Sequence, residues 1–68
     1  MNHVYKQIEL TGSSPVSSDE AIKTAIGKAS ETVRKIDWFE VTEMRGEVAD
    51  GEIAHWQVTL KVGFRLDS

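Results

Sequence analysis

The sequence predicts an α+β domain in the order strand, helix, strand, strand, with one helix packed on a three-stranded antiparallel sheet. Three observations predict it. Residues 17–36 repeat apolar side chains at three- and four-residue steps. Residues 37–48 and 53–66 alternate apolar and polar side chains on either side of Asp50-Gly51. Residues 3–10 alternate in the same way, ahead of the turn-rich TGSSP.

The first strand, residues 3–10, places Val4, Ile8 and Leu10 on one parity and Tyr5, Gln7 and Glu9 on the other. Lys6 interrupts the apolar parity, as an edge strand tolerates. TGSSP then reads as a connector. The helix over 17–36 begins at a capping box, with Ser17 and Glu20 three residues apart. Asp19 adds negative charge in the first turn, where the helix dipole favours it. Ala21, Ile22, Ala25, Ile26, Ala29, Val33 and Ile36 form the apolar face. The small residues at 21, 25 and 29 predict a second backbone lying close to the helix.

Asp50-Gly51 suits a two-residue type I′ turn, which needs positive φ at both positions. That turn sets a register. Ala49 faces Glu52, Val48 faces Ile53, Val41 faces Leu60, Phe39 faces Val62 and Glu43 faces Val58. On the other parity Glu40 faces Lys61, Thr42 faces Thr59, Met44 faces Gln57 and Trp38 faces Gly63. Phe39 and Val41 thereby join Val58, Leu60, Val62 and Phe64 in the predicted core. Trp56 falls on the core side, opposite Arg45.

A chain of 68 residues makes one domain, residues 1–68. A domain this small buries only about 60% of its unfolded surface, and usually needs a staple. There is no cysteine, which excludes disulfides and thiolate metal sites. Oligomerisation is the remaining remedy. The formal net charge of −3 argues against a dedicated nucleic-acid binder. No apolar run approaches the ~20 residues of a membrane span, and the N-terminus has no signal-peptide pattern, so the expected compartment is the cytoplasm.

The polar parity carries the candidate site. Trp38 stands on it opposite a glycine, and glycine in a strand marks close approach by a ligand or backbone. Two structural readings compete with a ligand stack: a bulge near Asp37 that turns Trp38 into the core, or burial in a subunit contact. Gln57 shares that parity, and its amide suits the edge of a heterocycle or simply solvent. Met44, opposite it, is a lining residue or a filler. Trp38 and Met44 are six residues apart, about 20 Å along a strand. One planar ligand touching both Trp38 and Gln57 therefore takes them from different subunits. Arg45 suits a phosphate or an ion pair with Glu43 or Glu47. Arg65 suits a phosphate or a salt bridge between subunits.

Catalytic and metal patterns are missing. TGSSP lacks the G-x-x-x-x-G-K-[ST] of a phosphate loop. His3 and His55 have no ligand spacing, and no nucleophile elbow is present. The residues do not point to an enzyme.

Together VYKQIELTGSSP at 4–15, the helix from Ser17, DWFEV at 37–41, RG at 45–46, DG at 50–51 and HWQVTLKVGFRL at 55–66 resemble the dodecins. The bacterial branch fits best, although Trp56 stands where relatives often carry another aromatic. The resemblance implies a hollow homododecamer that is not an enzyme and binds flavin, commonly FMN, as stacked pairs between subunits. It implies that Trp38 stacks on the isoalloxazine and quenches it, and that Gln57 bonds the pyrimidine end. Arg45 would meet the phosphate end, and Asp37 would line the pocket. Riboflavin, FAD and coenzyme A are further ligands in such a family. The implied role is flavin storage, buffering and photoprotection, with no nucleic acid or membrane partner. The competing readings are a structural homo-oligomer, or a coenzyme A carrier, without flavin function. A flavin-dependent oxidoreductase is a third class.

Overall fold

A computed structural model describes residues 2–66 of the chain. The elements are β1 (Tyr5–Ser14), α1 (Ser18–Ser30), β2 (Ile36–Ala49) and β3 (Glu52–Arg65). The sheet order is β1-β3-β2, and both pairings are antiparallel. The β-α-β-β architecture is as the sequence predicts. β1 and β2 run parallel at opposite edges, so α1 carries the chain over the central strand β3.

β1 is longer than the sequence reading gave. It continues through Thr11, Gly12 and Ser13 to Ser14, so most of TGSSP is strand. Gly12 explains this. A Cβ there would overlap the Ala21 carbonyl oxygen and lie 3.0 Å from the Ala25 Cβ. Strand and helix meet at this point with no side chain between them. That contact accounts for the alanines at 21 and 25, and Ala29 is buried on the same face of the helix.

The helix starts as predicted. The Ser17 hydroxyl accepts from the Glu20 N–H at 3.0 Å. Ser14 Oγ accepts from the Val16 N–H and shapes the approach. The helix ends at Ser30, well short of residue 36. The Val33 N–H still reaches the Ala29 carbonyl, but Lys35 then takes φ 63° and turns the chain into β2. Ile36 packs against the core from a strand, not from the helix. A core-facing position looks alike in either element, which is why the apolar spacing ran on.

Asp50 (φ 53°) and Gly51 (φ 76°) both take positive φ, as the type I′ turn requires. The register that follows is interrupted three times. Val48 pairs with Ile53 but Glu47 with His55, which leaves Ala54 extra on β3. Val41 pairs with Leu60 but Glu43 with Thr59, which leaves Thr42 extra on β2. Asp37 is extra between Ile36 and Trp38. Such bulges bend a strand and change which side chains face a given partner.

The core is Ala21, Ala25, Ala29, Val58, Leu60 and Val62, with Ile8, Leu10, Ile22, Ile26 and Ile36 packed around it. Phe39 and Val41 do not belong to it. They pair with Val62 and Leu60 as predicted, yet they are 48% and 39% exposed, and Met44 is 54% exposed. A helix about 10 Å across covers two strands spaced about 4.8 Å apart. Here those two are β1 and β3. The hairpin also outruns the helix, giving overall dimensions of 53 × 20 × 13 Å. Among the described residues no helix is long and apolar enough to cross a membrane.

Candidate functional site

The sheet face away from α1 is polar and carries the predicted residues in successive rungs across the three strands. At one end Gln7, Gly63 and Trp38 lie side by side. Next come Glu9, Lys61 and Glu40, then Thr11, Thr59 and Glu43. The following rung is Ser13, Gln57 and Arg45, and the next, past the end of β1, is His55 and Glu47.

Trp38 stays opposite Gly63 despite the bulge at Asp37, so that bulge does not turn it into the core. Its ring lies over the glycine. A Cβ on Gly63 would overlap Trp38 Cε2 and Cζ2 and lie 2.7 Å from Cδ2. Gly63 is buried beneath the ring, while Trp38 itself remains 38% exposed. The face turned away from the sheet offers a flat apolar surface to a partner ring. Asp37 precedes it, exposed, at the bulge.

The far rung differs from the sequence-based register. Gln57 pairs with Arg45, not with Met44, because the bulges at Ala54 and Thr42 enclose a stretch offset by one residue. Met44 moves to Val58 on the apolar side, Glu43 moves to Thr59, and Gly46 takes the place opposite Trp56. Thr42 leaves the ladder, but its hydroxyl donates to the Thr59 carbonyl at 3.2 Å and ties the bulge down. Thr59 also shares a 2.8 Å hydroxyl hydrogen bond with Thr11.

Arg45 Nε lies 3.7 Å from Glu43 Oε1, with the side chains 63% and 56% exposed. An exposed pair at that distance contributes little, so the guanidinium keeps most of its donors for another partner. Glu47 pairs instead with His55, its Oε1 lying 3.3 Å from Nδ1. The Gln57–Arg45 pairing and the Glu47–His55 contact escaped the sequence reading. One signal for them existed: Val41 and Met44 are three residues apart, an odd step that keeps both on one face only if a residue between them is extra.

Gly63 and Gln57 are six residues apart on one strand, about 20 Å. The chain therefore presents an aromatic end and an amide–guanidinium end, too far apart for a single ring system to bridge. Arg65 sits at the aromatic end, opposite Tyr5. Among the described residues no group of three His, Asp or Glu side chains could hold a metal ion.

A family model described as Dodecin matches residues 4–67. A curated dodecin from Thermus thermophilus is 45% identical over 67 residues, spanning 98% of this chain and 97% of that protein. The structure of dodecin from Streptomyces davaonensis superposes with a TM-score of 0.92 at 54% identity and covers 100% of both chains. The dodecin from Streptomyces coelicolor gives the same score and identity, covering 98% of this chain and 96% of its own. With sequence and fold matched from end to end, the chain belongs to the dodecin family.

Proposed function

We propose that the protein binds and stores flavin without catalysing a reaction, as a homododecamer that holds flavin pairs on Trp38 between subunits. The observation that carries this reading is the Trp38 ring, laid on Gly63 with its other face open on a polar surface. Membership of the dodecin family supports it. So does the exposed strip of Phe39, Val41 and Met44, which another copy of the chain would cover.

The residues fit an isoalloxazine ring. Trp38 supplies the stack and, by contact, quenches the excited flavin, which is the basis of photoprotection. Gln57 offers a donor and an acceptor to the pyrimidine edge. Arg45 lies beside it with donors to spare, suited to the phosphate of FMN. Asp37 lines the aromatic end. With the two ends about 20 Å apart, this reading takes Trp38 and Gln57 of one site from different subunits. FMN is the proposed ligand, ahead of riboflavin, FAD and coenzyme A.

Titration of FMN with the protein tests this. Flavin fluorescence falls to a saturating minimum, and Trp38→Ala weakens binding by about 1–3 kcal/mol, or roughly 5- to 150-fold. An unchanged affinity in Trp38→Ala removes the proposed role. A second reading, a purely structural homo-oligomer in which Trp38 only packs at a subunit contact, draws on the same exposed indole. Under it FMN shows no saturation, while Trp38→Ala shifts the elution size.

A further inference from the structure

We infer that Gly63 is a positioning residue for Trp38: its missing side chain forms the bed that holds the indole parallel to the sheet and sets the plane on which a ligand stacks. The inference rests on the flavin reading for the identity of that ligand, but its geometric part stands on the chain alone.

Three observations carry it. First, the atoms of Trp38 that a Cβ would strike are Cδ2, Cε2 and Cζ2. Two of these form the fused bond of the indole, so the middle of the ring covers Gly63, not its rim. Secondly, the backbone does not require glycine here. Among the described residues positive φ occurs at Lys35, Asp50 and Gly51, and not at Gly63. Alanine would fit the strand conformation and lacks the entropic penalty of glycine. Only the space is special. Thirdly, Gly63 is buried on a face where its strand neighbours Lys61 and Arg65 are partly or fully exposed. The ring itself covers it.

Gln7 adjoins Gly63 from β1, on the side opposite Trp38. The ring thus lies across the strand that joins the two edges of the sheet. Its inner face is spent on backbone, leaving one face for a ligand. A methyl group at 63 would lift or swing the indole and remove that surface while leaving the apolar core, on the other side of the sheet, in place.

The test uses the full-length protein in a Trp56→Phe background, so that emission reports Trp38 alone. Gly63→Ala is expected to shift the flavin-free emission to longer wavelength and raise iodide quenching. It should also weaken FMN binding about as much as Trp38→Ala, roughly 5- to 150-fold. The thermal midpoint provides a control in a double-mutant cycle. Gly63→Ala should be neutral or stabilising when Trp38 is already alanine, because the ring it would strike is gone. Unchanged Trp38 emission and quenching in Gly63→Ala overturns the inference. Equal destabilisation by Gly63→Ala with and without the indole also overturns it, since glycine would then be needed for another contact. If Trp38→Ala leaves FMN affinity unchanged, the flavin reading fails, and the emission measurements still decide the role of Gly63.

Discussion

On β3 Leu60 is fully buried, while its ladder partner on β2, Val41, is 39% exposed. The two side chains point to the same side of the sheet and sit one strand apart. The half formed by β1 and β3 is closed by α1, with Gly12 meeting the helix backbone at Ala21 and three buried alanines on the helix's inner face. The half formed by β2 has larger apolar side chains and no such cover. An open groove lined by Ile22, Ile26, Phe39, Asp19 and Lys23 marks the boundary. Close approach, not hydrophobicity alone, decides where this chain's interior ends. A strand can carry core-type residues in core-type register and still be left uncovered by its own chain.

A pair of truncations separates the two halves most strongly. Leu60→Ala should cost about 2–5 kcal/mol at any protein concentration, because its cover comes from its own chain. Phe39→Ala should cost less in dilute solution and more as concentration rises, because in the proposed assembly its cover comes from another copy. Denaturant unfolding at several concentrations measures both, and a concentration-independent Phe39→Ala would dissolve the distinction. Gly12→Ala comes next. Forcing a methyl group against the Ala21 carbonyl should destabilise the closed half by about 1–3 kcal/mol, read from the denaturation midpoint. A neutral result would mean that α1 can slide away without penalty. Ser17→Ala gives the smallest effect, about 1 kcal/mol, through loss of the cap on the covering helix. It should show as faster amide exchange in the first turn of α1.

Much of this was legible in the sequence. The alternation of 53–66 identified Val58, Leu60 and Val62 as core, and Asp50-Gly51 gave the turn. The capping Ser17 and the alanines gave the start and the inner face of α1. Trp38 was correctly placed opposite Gly63, since no net offset separates that rung from the turn. The extent of β1 was not legible, because Gly-Ser-Ser reads as a break until the helix above it is known. The end of α1 was not legible either, since Val33 and Ile36 continue its spacing. Parity also cannot tell how many strands one helix will cover, so Phe39 and Val41 were assigned to a core they do not enter. At the candidate site, the Trp38–Gly63 pairing follows from the turn and the Arg45–Gln57 pairing does not, because a bulge leaves only a faint trace in an apolar pattern.

The bulges at Ala54 and Thr42 act as two phase slips of opposite sign. Counting outward from the turn, the first shifts the ladder by one residue and the second restores it. Only the rungs from Glu47 to Glu43 lie in the shifted window. Trp38, beyond it, keeps the phase set by Asp50-Gly51. The two ends of the candidate site are therefore separately adjustable. A sequence that lost both slips would exchange Arg45 for Met44 beside Gln57, turning a cationic neighbour into an apolar one, with Trp38 still on Gly63. Variation can retune what the amide end accepts while the aromatic end stays in register.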